Sequence, residues 1–111
     1  QLTYTTKIYI MSEEYNWPSS MLYHPTGDPI NIKPIDNNDS FGTDELETFI
    51  GGPVDHIKLD NGMLVINDEG QKMDLPLNDM ASKNGYSLYG NVIFVPKLIQ
   101  AEPVKFNIKD L

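Results

Sequence analysis

Apolar positions along this chain recur with two different periods, and the changes between them mark out the elements. Residues 3–11, Thr-Tyr-Thr-Thr-Lys-Ile-Tyr-Ile-Met, are rich in β-branched and aromatic types. Tyr4, Ile8 and Ile10 share one parity and Thr3, Lys7 and Tyr9 the other, which predicts a strand. Near the end, Val104, Phe106 and Ile108 alternate with Lys105, Asn107 and Lys109. That alternation predicts a half-exposed closing strand.

The segment 12–29 breaks this regularity. Trp17-Pro18, His24-Pro25, Gly27 and Asp28-Pro29 predict irregular backbone. Tyr15, Trp17, Met21, Leu22 and Tyr23 make it an aromatic loop. It reads either as a lid packed on the core or as a binding surface. Ile30, Ile32 and Ile35 suggest a short strand around Pro34, followed by turn chemistry at Asn37-Asn38-Asp39-Ser40.

The period then changes to that of a helix. Leu46, Phe49 and Ile50 lie at i, i+3 and i+4, which predicts a helix over 43–50. Thr43 is the expected N-cap, with Glu47 close to the capping-box position. Asp44 and Glu45 suit the positive end of the helix dipole. Gly51-Gly52-Pro53 is the expected stop, with left-handed backbone at the glycine. A phosphate cradle would instead place the glycines before a helix.

Residues 54–73 read as a meander. Val54, Ile57 and Leu59 lead into a hairpin at Asp60-Asn61-Gly62, and Met63-Leu64-Val65-Ile66 is the next strand. Asp68-Glu69-Gly70 turns the chain, and Gln71-Lys72-Met73 begins a return. A second short helix is expected over 77–83, with Asn78 capping its start and Asn84-Gly85 ending it. Val92–Val95 reads as a buried strand stopped by Pro96. The whole predicts one α+β domain over 1–111, with a mostly antiparallel sheet and one or two short helices.

Several of these segments together resemble a known family. The stretches are Leu46-Glu47-Thr48-Phe49-Ile50-Gly51-Gly52-Pro53-Val54-Asp55, Ile57-x-Leu59-Asp60-x-Gly62 and Val65-Ile66-Asn67-Asp68-Glu69-Gly70. Leu75-Pro76-Leu77-Asn78-x-x-Ala81 and Tyr89-Gly90-Asn91-Val92-Ile93-Phe94-Val95 complete the set. Residues 32–95 are in this way similar to a domain of unknown function carried by phages, plasmids and conjugative elements. Ser82 stands where such domains usually have Thr. The resemblance implies a mobile-element origin and a small α/β unit, and it implies no catalytic residue. Residues 1–31 and 97–111 fall outside this core as additional strands and loop.

Charge and composition narrow the function. Sixteen acidic residues oppose eight basic ones for a net charge of −8, every basic residue is Lys, and Cys is absent. Without the Arg fork, and with this charge, direct nucleic-acid binding is not expected. The lack of Cys removes disulfides, thiolate metal sites and a cysteine nucleophile. No apolar run approaches the roughly 20 residues of a membrane span, so no membrane partner is expected. A start at Gln1 is compatible with trimming or with removal of a signal peptide, and the expected location is the cytoplasm. His24 and His56 have no second ligand at useful spacing and read as solvated. No Gly-x-Ser-x-Gly, nucleotide loop or marked carboxylate pair stands out. The chain is therefore expected not to be an enzyme and to need no cofactor or metal.

The acidity is concentrated. Residues 34–82 hold eleven acids against Lys58 and Lys72, a net of −9, and no base occurs from Pro34 to Ile57. Solubility alone accounts for such a surface. The sharper expectation is a phosphate-mimicking face for a basic protein partner. Its candidate residues are Asp36, Asp39, Asp44, Glu45 and Glu47, with Trp17 and Tyr23 as apolar contacts. The expected function is a non-enzymatic mobile-element binding protein. Its partner would be a host nucleic-acid-binding defence protein such as a restriction or CRISPR effector, which it inhibits. The alternative is a structural or accessory module, monomeric or self-associating through strand edges or the Tyr15–Tyr23 loop. A third reading uses Asn67, Glu69 and Asn78 as a ligand site.

Overall fold

The computed structural model describes residues 15–98. The expected strands at 3–11 and 104–109 lie outside these residues. Five antiparallel strands form one sheet: β1 (Ser20–Tyr23), β2 (Ile30–Ile32), β3 (Val54–Leu59), β4 (Gly62–Asn67) and β5 (Val92–Pro96). Their spatial order is β2-β1-β5-β4-β3. One helix, α1 (Thr43–Ile50), completes an α+β domain.

Strand parity sorts the core onto the two faces of the sheet. Leu46 and Ile50 of α1 pack with Leu22, Met63, Val65, Ile93 and Val95 on one face. Leu64 and Val92 project to the other face, where Leu88 and Ala81 cover them. Both faces of β5 are therefore filled, and Val92, Ile93 and Val95 are fully buried. Burial of each such side chain contributes about 1.5–3 kcal/mol.

The α1 helix forms as the pattern predicts, with its cap shifted by one residue. Gly42 is the N-cap, so Thr43 is already helical and Glu45 stands at the third position. Glu45 Oε1 accepts the Gly42 N–H at 3.2 Å, the role assigned above to Glu47. At the other end Gly51 adopts φ 82°, and its N–H donates to the Glu47 carbonyl at 2.7 Å.

The β3–β4 hairpin also follows the pattern, with Leu59 opposite Gly62 across Asp60-Asn61. Positive φ is not what Gly62 supplies, because it is absent from the left-handed residues. A Cβ there would run into the Val95 carbonyl and the Phe94 ring, so glycine is required by close approach of β5.

Four expectations are corrected. The segment 12–29 is not wholly irregular, because Ser20-Met21-Leu22-Tyr23 pairs with both β2 and β5. The two prolines that flank it, Pro18 and Pro25, mask a short strand. The strand around Pro34 stops at Ile32, and the chain enters a tight turn at Ile35–Asn37. The return strand to β4 is β5, and it does not begin at Gln71-Lys72-Met73. Residues 68–74 form successive turns, closed by Leu75 N–H donating to the Gly70 carbonyl at 3.0 Å. Finally, the helix expected over 77–83 is a 3-10 turn at Ala81–Asn84, preceded by a bridge between Leu77 and Tyr89. Its N-cap is Met80, and Asn78 acts one turn earlier, with Oδ1 accepting the Ala81 N–H at 3.1 Å. Gly85 at φ 88° ends it after that single turn.

Candidate functional site

The loop from Ile35 to Gly42 and the first turn of α1 are bolted together by one carboxylate. Glu45 Oε2 accepts the Ile35 N–H at 2.9 Å while Oε1 accepts the Gly42 N–H. This ties the residue before Asp36 to the residue after Asp44. Asp36 holds left-handed backbone at φ 52°, which non-glycine residues adopt mainly when they are Asn or Asp. Asp36, Asp39, Asp44 and Glu47 are all exposed. Asp44 and Glu47 are three residues apart and so neighbour each other on the helix surface. The positive end of the helix dipole favours Asp44 and Glu45 in the first turn. Glu45 belongs to the cluster by position but serves a structural role, with both oxygens committed to backbone donors.

An aromatic chain runs along the α1 side of the core. Trp17 meets Phe41 edge-on at 5.9 Å between ring centroids, and Phe41 meets Phe49 in the same way at 5.8 Å. These contacts pack the loop against the helix and the sheet. Trp17 is thus half-buried on the α1 side of the sheet. Tyr23 packs on the opposite face, with Leu64 and Phe94. The structure accordingly places Trp17 and Tyr23 on opposite faces of the sheet.

That opposite face carries a groove of about 180 Å³ lined by Tyr23, Leu59, Asn61, Leu64, Met80 and Phe94. A second cleft, of about 290 Å³, lies at the C-terminal end of α1 between Pro25, Ile50, Leu75, Pro76 and Asn91. Among the described residues, no three His, Asp or Glu side chains converge as metal ligands.

The polar trio Asn67, Glu69 and Asn78 has a structural account. Asn67 Oδ1 accepts the Glu69 N–H at 2.8 Å, an Asx turn that starts the reversal after β4. Asn78 is fully buried; its Nδ2 donates to the carbonyls of Tyr23 at 2.9 Å and Gly90 at 2.8 Å. With the Ala81 bond, its amide is saturated by backbone. Glu69 is half-buried.

A junction that sequence reasoning missed joins His24 to the helix. Asn91 Nδ2 donates to the Phe49 carbonyl at 2.9 Å, so Asn91 Oδ1 is left as the acceptor for His24 Nδ1 at 3.1 Å. The neutral ring therefore carries its proton on Nδ1. His24 is half-buried and partnered rather than solvated. Its partner lies 67 residues away, so spacing gave no signal.

A family model matches residues 19–102, and it is described as a domain of unknown function, DUF3846. The chain belongs to the DUF3846 family. The match spans β1 through β5 and includes the acidic loop and α1. It therefore reaches further toward both ends than the resemblance over 32–95. The β1 strand is part of the DUF3846 domain, whereas Trp17 precedes it by two residues. Among curated proteins and among solved structures, none matches the chain.

Proposed function

We propose that this chain is a non-enzymatic binding protein whose acidic surface docks on a basic, nucleic-acid-binding partner. The observation that carries the reading is the bracket at Glu45. It ties the loop that carries the exposed Asp36 and Asp39 to the first turn of α1, which carries the exposed Asp44 with Glu47 three residues on, in a segment with no Lys or Arg from Pro34 to Ile57. Carboxylates spaced along a helix and its leading loop imitate a run of phosphates, and they steer a basic partner to the surface. On this reading the partner is a defence nuclease of the restriction or CRISPR type. The chain, carried by a mobile element, blocks that partner's nucleic-acid site.

The test is capture of purified nuclease complexes by the immobilised chain at low and high salt, with nucleic acid as competitor. Capture that weakens with salt and is displaced by nucleic acid supports the reading. Capture indifferent to both, or retained after Asp36→Lys, Asp44→Lys and Glu47→Lys together, sinks it.

A second reading is favoured by the groove at Tyr23 and Phe94, together with the outer edges of β2 and β3, which have no further strand paired to them among the described residues. Here the chain is an accessory module that self-associates through that face or those edges. Sizing chromatography over a hundred-fold range of concentration decides it, about the span over which a micromolar dimer dissociates. A strict monomer throughout removes this reading.

A further inference from the structure

With no cysteine in the chain, sulfur chemistry belongs to the five methionines. Met63 is buried in the core on the α1 side. Met73 and Met80 are matched in exposure, at 44% and 45%, but differ in their contacts. Met80 lines the groove beside Ala81. Met73 Sδ lies 3.6 Å from Asn67 Nδ2, which donates to it. Asn67 is itself buried, and a Cβ added at Gly52 would fall 2.9 Å from the same Nδ2. Gly52 thus walls one side of the Asn67 amide, and the thioether of an exposed methionine receives its donor. A similar pair, Asn31 and Met21 at 3.5 Å, sits on the β1–β2 ladder, where backbone pairing already fixes both residues.

We propose that Met73 is an oxidation site whose sulfoxide tightens the turn after β4. The oxidant is a hydroperoxide. A sulfur lone pair attacks the peroxide oxygen, the S–O bond forms and the O–O bond breaks. The departing oxygen takes the proton and leaves as water or alcohol. Sulfur is oxidised by two electrons and the peroxide is reduced by two. Thioether sulfur is a weak hydrogen-bond acceptor, whereas the sulfoxide oxygen is a strong one. Met73 stands at the surface, so its side chain shifts outward to seat the new oxygen opposite Nδ2. Asn67 is then held more firmly, and with it the Glu69 N–H bonded to Oδ1.

The full chain carrying Met11→Leu and Met80→Leu is treated with dilute hydrogen peroxide. Peptide mass mapping and amide hydrogen exchange follow. The expected result is one added oxygen at Met73 and none at Met63. Exchange at Glu69 slows roughly three-fold, the size expected when a weak acceptor becomes a full one. A methionine sulfoxide reductase reverses the change, and Met73→Leu abolishes it. Two results would overturn the proposal: Met73 staying reduced under conditions that oxidise Met80 in the parent chain, or Met73 sulfoxide forming while Glu69 exchange stays unchanged or rises.

Discussion

Asn91 reaches across 42 residues to donate a hydrogen bond from Nδ2 to the Phe49 carbonyl in the last turn of α1. Helix carbonyls at this end have no intrahelical donor, and the Gly51 cap satisfies only the one belonging to Glu47. The same Asn91 amide accepts from His24, so one side chain ties α1 to the exit of β1 and the entry of β5. Asn91→Ala is expected to cost about 1–3 kcal/mol, because the Phe49 carbonyl and the His24 ring both lose a partner. Asn91→Asp is expected to cost more, since a carboxylate faces the carbonyl without a donor. Urea denaturation of both variants checks the order.

Asn78 presents the same logic in a fully buried setting. Its two donors and its acceptor bind Tyr23, Gly90 and Ala81, linking the cap over the open sheet face to β1. Removing it takes a donor from the part-buried Tyr23 carbonyl and the buried Gly90 carbonyl, and the acceptor from the Ala81 N–H. Asn78→Ala is expected to destabilise by about 2–4 kcal/mol, toward the upper end for a single polar deletion. Asn78→Asp keeps the bond to Ala81 but turns two donors into repulsive contacts, and it is expected to be at least as damaging. Thermal unfolding by circular dichroism gives both values.

How far the fold was legible depended on whether its determinants were local. The α1 helix carries its period, acidic first turn and glycine stop within ten residues, and its pattern matches the observed bounds. The β3–β4 hairpin is legible because Asp60-Asn61-Gly62 interrupts two apolar runs. The β1 strand was hidden because four residues between prolines have too little periodicity to register, and its pairing with β5 comes from 70 residues later. Turn chemistry at Asn67 and Asn78 acts through side-chain bonds to nearby amides, so runs expected to continue as a strand or a helix became turns. The acidic surface was visible in composition. The division of labour inside it was not, because Glu45 differs from Glu47 only in which backbone donors the folded loop brings to it.

Gly62 offers a sharp test of close packing between β4 and β5. Its Cα faces the Val95 carbonyl with no room for a methyl group. Gly62→Ala is expected to destabilise by about 1–3 kcal/mol or more through forced separation of the strands. Gly51→Ala makes a contrast, because open space surrounds its Cα and only the left-handed φ opposes the change. Its cost is expected near 1 kcal/mol. A larger loss at Gly51 than at Gly62, measured by chemical denaturation, would contradict this account.

The acidic surface yields the prediction that separates structure from binding. Asp36, Asp39, Asp44 and Glu47 are exposed, so their replacement by Asn or Gln is expected to change stability by no more than about 0.5 kcal/mol each. Glu45→Ala removes the acceptor for both Ile35 and Gly42 and is expected to cost about 1–2 kcal/mol. Glu45→Gln retains one amide oxygen, so it is expected to fall between the two. Amide exchange at Ile35 and Gly42 is expected to rise in both Glu45 variants and to stay at the parent rate in Asp44→Asn and Glu47→Gln. Equal effects at Glu45 and Glu47 would show that the bracket does not hold the loop, and the acids of the loop would then have no fixed relation to those of the helix.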